Sequence, residues 1–314
     1  MARLPEILAV VVNWNAGDLL EKCLEALLAQ KEVDLEVVVV DNASSDHSLR
    51  ALDRFPQVRL IQTGENLGFG RGVNRGVATS KRPYVVALNP DVALQKDALA
   101  LMAEALACEP SMGLMGPQLK DAEGQIQASC GMPPRLVDEI CRKFLLHLIF
   151  PLFKFRRKRL RERTEVGWVT GACFMARREA LEAVGGMDEA IFMYYEDVDL
   201  CLRLRSAGWR VFYVPEAVGF HLGGGSSHRA LSQMLVASEA SYIYFAEKHL
   251  GRAAARILAA LRPLEMGMRT LLWGTLFVVP RYRTEARFRL QAYWRILTCG
   301  VGKFVPSGKL KEDL

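Results

Sequence analysis

Four short runs, ILAVVVNW (7–14), LEVVVV (35–40), VRLIQT (58–63) and YVVAL (84–88), are apolar almost without interruption. Strands covered on both faces read this way, and their alternation with amphipathic stretches predicts parallel strands joined by helical crossovers. Between the first two runs Leu19, Leu20, Cys23, Leu24, Leu27 and Leu28 recur at helical spacing, and 97–108 repeats the pattern. Beyond residue 116, Gly, Pro and Gln dissolve the periodicity, so an irregular stretch is expected. Order resumes at GWVTGACFMARREAL (167–181), a strand then a helix, followed by the turn GGMDE. YYEDVDLCLRLRSAG then predicts a helix closed by Gly208, and WRVFYVP (209–215) a strand. From about 232 the chain reads as helical. The expected organisation is an α/β domain over 1–232, interrupted by an apolar-basic insertion at 133–164, and a basic amphipathic helical region over 233–314.

In open parallel sheets ligands bind beyond the carboxyl ends of the strands. Here those ends carry Asn13 and Asn15, then Asp41-Asn42, then Asn89-Pro90-Asp91. The second reads on as DNASSDHS, which suits a nucleoside contact as well as plain turn and cap chemistry. NLGFGRGVNRG (66–76) holds Gly68, Gly70, Gly72 and Gly76, which allow backbone to approach a phosphate or sugar, with Arg71 and Arg75 adding charge. It follows the third strand, whereas a dinucleotide fingerprint follows the first, so a dinucleotide site is disfavoured and a glycine-rich turn remains open. Asp91 is a natural ligand for a hard divalent cation, which needs only one or two protein carboxylates when phosphate oxygens and water complete the shell. Glu196, Asp197 and Asp199 favour the start of a helix through its dipole, yet a carboxylate beside Phe192, Tyr194 and Tyr195 also suits a general base. His221, before three glycines, is either structural or a ligand for metal or phosphate.

Composition adds a segregation of charge. The chain of 314 residues is 51% hydrophobic with a net charge of +6, enough apolar matter for a large core and too much for a disordered protein. Residues 140–163 carry a net +8 and 248–314 a net +9, leaving an acidic body at −11. Two basic appendages on an acidic body call for a polyanion, either a membrane surface or nucleic acid. The basic runs adjoin Leu, Ile and Phe clusters rather than spaced stacking aromatics, which argues against nucleic acid and for an anionic membrane surface. The apolar runs at 145–153 and 271–279 have nine residues each, well short of the twenty or so that span a bilayer. Packing on the rest of the chain, or on a second copy in a homodimer, is the alternative. The seven cysteines stand singly with no CxxC, which fits a reducing compartment, and 7–14 reads as a buried strand rather than a signal peptide.

Taken in order, VVVNWN, DNASSDHS, NLGFGRGVNRG, LNPDV, GACFMARREALEAVGGMDE, YYEDVDLCLRLRSAGW and His221 with its glycines resemble the family-two glycosyltransferases, and within them the bacterial rhamnosyltransferase-like branch. The resemblance covers about residues 6–230 and implies the GT-A fold, a mostly parallel Rossmann-like sheet flanked by helices, here with a helical C-terminal extension. It implies an inverting enzyme that moves a sugar from a nucleoside-diphosphate-sugar to a glycan or lipid-linked acceptor, with Mg²⁺ or Mn²⁺, in the cytoplasm and peripherally on the inner face of the cell membrane. It places the donor at Asn13, Asp41, Asn66, Gly70, Arg71, Asn74 and Asn89, with Asp41 on the base. Asp91 and His221 would hold the metal, the first carboxylate of the family's DxD-type motif being replaced by Asn89. Asp197 would be the base, Glu196 its support, and Gly171 and Ala172 the acceptor floor. A metal-dependent nucleotidyltransferase is the competing enzyme class, but residues 8–17 offer Asn-Trp-Asn where a Gly/Lys-rich triphosphate loop is needed. A non-enzymatic polyanion-binding protein is the third reading.

Overall fold

The computed structural model describes residues 3–144, 156–157, 160–223 and 231–299. Their contacts form two compact units, each discontinuous in sequence. The first comprises Met1–Pro133, Arg156–Glu189 and Glu196–Ser226, and the second Pro134–Phe155, Ala190–Tyr195 and Ser227–Leu314.

The first unit is built on a sheet. Strands β1 (Glu6–Asn13), β2 (Asp34–Asp41), β3 (Arg59–Gln62) and β4 (Tyr84–Leu88) lie parallel in the order β3-β2-β1-β4. The order continues through β11 (Cys173–Arg177), which is antiparallel, then β6 (Met112–Lys120), β12 (Arg210–His221) and β5 (Val92–Leu94). β9 (Thr164–Glu165) pairs with β12. The apolar runs are strands because both faces are covered: α1 (Leu19–Leu28) and α3 (Ala98–Cys108) pack their leucines and Met102 with Ile7, Ala9 and Val11 in one continuous core. A small sheet joins β7 (Cys130–Gly131) to β8 (Arg156–Arg157) and β10 (Trp168–Val169).

Two expectations are corrected. The irregular stretch begins later than expected, after Lys120: Gly116, Pro117 and Gln118 still belong to β6, inside the sheet, where Gly116 pairs with Tyr213. The glycine-rich run is mostly helix rather than a turn. It forms the helix α2 (Phe69–Val77), and Gly72 and Gly76 lie against the sheet. A Cβ on Gly72 would stand 2.8 Å from Val12 Cγ1, and one on Gly76 only 2.4 Å from Val10 Cγ1. The spacing of four puts both glycines on the face turned to β1, so the helix backbone packs directly on the strand. Three glycines weaken a helix by about 1 kcal/mol each relative to alanine, and tertiary packing overrides that preference here.

The second unit is helical: α4 (Leu136–Lys143), α7 (Leu231–Leu250), α8 (Arg252–Ala260), α9 (Arg262–Leu276) and α10 (Arg283–Cys299). Tyr242 is fully buried between the rings of Tyr195 and the α8 residues Ala255 and Leu258. Lys143 and Glu265 are buried together, Nζ to Oε2 2.5 Å. No helix among the described residues is long and apolar enough to cross a membrane. The expected apolar-basic run 145–155, with Lys158 and Arg159, lies outside the described residues.

Candidate active site

At the carboxyl ends of β1 and β2, Asn13 and Asp41 are buried together. The Asn13 Nδ2 group donates to Asp41 Oδ1 (2.8 Å), Ser44 Oγ (3.0 Å) and Ser48 Oγ (3.0 Å). Asp41 also accepts from Ser44, hydroxyl to Oδ1 at 2.6 Å and backbone N–H to Oδ2 at 3.1 Å. Burial would raise the Asp46 carboxyl, but hydrogen bonds from Ser48 and from the Gly17 N–H hold it below its ordinary range. The DNASSDHS segment is thus welded to the end of β1 by its own polar groups, and Asp41 faces that network. Asn13 Oδ1 has no hydrogen-bond partner among the described residues.

The α2 residues serve a different contact. Asn66 Oδ1 accepts from the Gly68 N–H ahead of the helix (3.0 Å). Asn74 Nδ2 donates to Met187 O (2.9 Å) and its Oδ1 accepts from the Met187 N–H (2.9 Å), while Arg71 Nε donates to Glu189 O (2.8 Å). Gly70 lies beside Met187, whose Cβ would be 3.2 Å from a side chain there. Asn74 and Arg71 therefore clamp the turn that follows α5 (Arg178–Ala183), on the approach to α6 (Glu196–Ser206).

The third cluster joins the end of β4 to the start of α6. The Asn89 N–H donates to Ala172 O (2.9 Å), and the neighbouring Gly171 N–H donates to Asp197 Oδ2 (2.7 Å). A Cβ on Gly171 would be 3.3 Å from both Asp197 Cβ and Phe69 Cε1, so only glycine lets the strand entry lie this close to the carboxylate. Asp197 Oδ1 accepts from the Val198 N–H (2.8 Å), which fixes the plane of the carboxylate. Glu196 is different. Burial, together with the charges of Asp197 and Asp199, pushes its carboxyl up to about 8, and its Oε2 has no hydrogen-bond partner among the described residues. The adjacent carboxyls thus stand in contrasting surroundings: Glu196 is pushed towards its protonated form, while Asp197 is held in plane by two backbone N–H groups.

Two residues past Asn89, Asp91 Oδ1 is buried without a hydrogen-bond partner among the described residues, 3.5 Å from His221 Nε2. The Leu222 N–H, bonded to Asp91 O at 2.9 Å, ties the end of β12 to this residue. Gln127 fixes the imidazole. Its Nε2 donates to His221 O (3.0 Å), so its Oε1 is the atom 2.9 Å from Nδ1 and must accept from it. The neutral ring therefore carries its proton on Nδ1 and turns the Nε2 lone pair towards Asp91. Nothing in the sequence marks Gln127, since it comes from a loop 94 residues away from His221. Among the described residues no group of three or more His, Cys, Asp or Glu is assembled for a metal. A partnerless carboxylate oxygen beside an imidazole lone pair is a two-ligand set, which fits Mg²⁺ or Mn²⁺ when phosphate oxygens and water supply the rest.

The model of the "Glycosyltransferase like family 2" matches residues 5–252. The chain belongs to this family. It is 34% identical over 275 residues to the N-acetylglucosaminyl-diphospho-decaprenol L-rhamnosyltransferase of Mycobacterium tuberculosis, covering 81% of this chain and 88% of that protein. It is 30% identical over 220 residues to the rhamnosyltransferase WbbL of Escherichia coli, covering 68% and 81%. Among solved structures, the mannosyltransferase PcManGT of Pyrobaculum calidifontis, in complex with GDP-Man and Mn²⁺, superposes with a TM-score of 0.54 over 94% of this chain and 87% of that one, at 20% identity. GalNAc-T7 with UDP, GalNAc and Mn²⁺ gives 0.55 over 77% of this chain and 50% of that chain, at 14% identity. The fold of this glycosyltransferase is the GT-A fold, as its resemblance implied.

Proposed function

We propose that this glycosyltransferase moves a hexose, with L-rhamnose as the first candidate, from a nucleoside-diphosphate-sugar to a hydroxyl of a lipid-linked glycan, with inversion. The observation that carries the reading is the pair of bonds from Asn89 to Ala172 and from Gly171 to Asp197, which sets an oriented carboxylate and the partnerless Asp91 oxygen on neighbouring segments of one sheet edge. Similarity to two rhamnosyltransferases, one named for a diphospho-decaprenol substrate, supports the sugar and the acceptor class.

An acceptor hydroxyl is a poor nucleophile, so a base must take its proton as the new bond to the anomeric carbon forms and the bond to the diphosphate breaks. Asp197 is that base, held in plane by the N–H groups of Gly171 and Val198. Glu196, protonated, spares the site a second negative charge next to the first. Asn13, Asp41 and the serines of DNASSDHS shape the wall of the nucleoside pocket, and Asn66, Gly70, Arg71 and Asn74 hold its far side against the turn at 186–189. Asp91 and His221 would hold a divalent cation, which supplies charge stabilisation to the departing nucleoside diphosphate. One displacement needs one base, so the close carboxylate pair of a retaining glycosidase is not required. We place the enzyme in the cytoplasm, peripherally on the inner face of the membrane, because its acceptor class is lipid-linked and its helical unit is basic.

Thermal unfolding against a panel of nucleotide-sugars with Mg²⁺ or Mn²⁺ tests the donor class. A true donor at a hundred times its Kd adds about 2.7 kcal/mol and raises Tm by several degrees. If no nucleotide-sugar moves Tm and none is hydrolysed, the reading fails.

A further inference from the structure

The chain between α9 and α10 places its apolar side chains outside. Residues 277–284, Phe-Val-Val-Pro-Arg-Tyr-Arg-Thr, are all exposed, and Leu271 and Leu272 on the last turns of α9 continue the apolar surface, Leu271 being 74% and Val278 73% exposed. The two helices run antiparallel, since Met266, Tyr293 and Ile296 share a cluster near one end while Arg289 lies over the Trp273 ring, 4.5 Å to its centre, nearer the other. Residues 271–282 are therefore the tip of a helical hairpin, whose core behind the tip is shared with Val236 of α7. Arg281 and Arg283 ring this tip, stacked beside Tyr282 and Phe277, and Arg287 follows one turn on. The nearby acid, Glu285, is bonded to Arg289.

We infer that this hairpin tip is a wedge that enters the interface of an anionic membrane, with Leu271, Leu272, Phe277, Val278 and Val279 in the acyl boundary and Arg281, Arg283 and Arg287 on the headgroups. The inference rests on the membrane-peripheral reading above and names the surface that would carry it. Exposed apolar side chains next to arginines are the composition that interfacial segments use. The occupant is fixed by charge. A second copy meeting the tip about a twofold axis would set two sets of three arginines against each other, and an apolar partner protein would leave them desolvated, whereas anionic headgroups neutralise them. The tip is too short to span, so the mode is lateral attachment.

The test is sedimentation of the full chain with vesicles of phosphatidylglycerol mixed with phosphatidylcholine, and of phosphatidylcholine alone, at low and high salt. Leu271→Asp with Val278→Asp, both at exposed positions, is expected to lower the anionic-vesicle partition coefficient about tenfold or more, and Arg281→Gln with Arg283→Gln several-fold, with Tm and donor hydrolysis unchanged. Binding that is strong, salt-sensitive and indifferent to both double variants would overturn the wedge while leaving membrane attachment standing. No binding to either vesicle overturns both. A concentration-dependent dimer in sedimentation velocity that Leu271→Asp with Val278→Asp abolishes, or vesicle binding that appears only after residues 300–314 are deleted, would show the tip already covered and overturn the proposal.

Discussion

The two units place polar and apolar groups in opposite ways. In the sheet unit polar residues lie inside and bond to one another, as Asn13, Asp41, Ser44 and Ser48 do, and the buried atoms without a hydrogen-bond partner among the described residues include Asn13 Oδ1, Asp91 Oδ1 and Glu196 Oε2. In the helical unit an ion pair, Lys143 with Glu265, is buried at the centre while leucines, valines and a phenylalanine face outward. A buried polar group without a partner costs free energy, and so does an apolar surface left in water. Each deviation underlies one of the proposals above: a reacting sugar at the first, a lipid interface at the second.

The sharpest way to break the comparison is at Asp197. Asp197→Asn keeps an oxygen for the Gly171 N–H, so donor-induced stabilisation should stay within a few-fold while kcat falls about 10²–10⁴-fold. A larger loss with Glu196→Gln than with Asp197→Asn would reverse the roles assigned here.

Lys143→Met takes one of two cationic partners from the buried Glu265, whose Oε1 still accepts from Arg269 Nε (3.0 Å), and is expected to cost about 1–3 kcal/mol in urea unfolding, whereas Lys143→Met combined with Glu265→Leu should recover most of it. If the double variant is as unstable as the single one, the ion pair is needed for more than mutual compensation.

Glu196 gives the pH dependence its sign. Its folded pKa lies above the unfolded value of about 4.5, so the folded state holds the proton more tightly and stability falls as pH rises from about 4.5 to about 8. Glu196→Gln should match the wild type below that window and exceed it by a few kcal/mol above. Parallel Tm curves from pH 4 to 9 would show that Glu196 is not held protonated.

Gly76→Ala weighs a helix gain of about 1 kcal/mol against a Cβ that would sit 2.4 Å from Val10 Cγ1, within the central strand. Overpacking wins, with a net loss of about 1–3 kcal/mol by chemical denaturation. A stabilised variant would mean that α2 can lift off β1 without penalty.

The smallest effect is expected at Gln127. Gln127→Leu frees the His221 ring to change tautomer and should weaken Mn²⁺ binding in the presence of nucleoside diphosphate about tenfold, read by titration calorimetry. Unchanged affinity would remove His221 from the metal set.

Sequence alone determined the strands β1, β2 and β4 and the helices α1, α3 and α6, because burial on both faces, or on one helical stripe, is written into consecutive side chains, whereas β3, mostly exposed, was legible only as a β-branched run. It also determined which polar residues end those strands, since a chain that leaves the core must turn and turns are built from Asn, Asp and Ser. Tertiary structure decided the rest. β6 runs through Gly116 and Pro117, poor strand formers that hold their place by pairing with Tyr213 and Val214 of β12. The α2 glycines are legible as close approach, but only the fold shows that Gly72 and Gly76 approach Val12 and Val10. The Gln127–His221 bond and the Lys143–Glu265 pair join residues 94 and 122 positions apart, and no local pattern encodes which distant side chain will satisfy a buried group. The raised carboxyl of Glu196 follows from burial that a string of adjacent acidic letters cannot reveal.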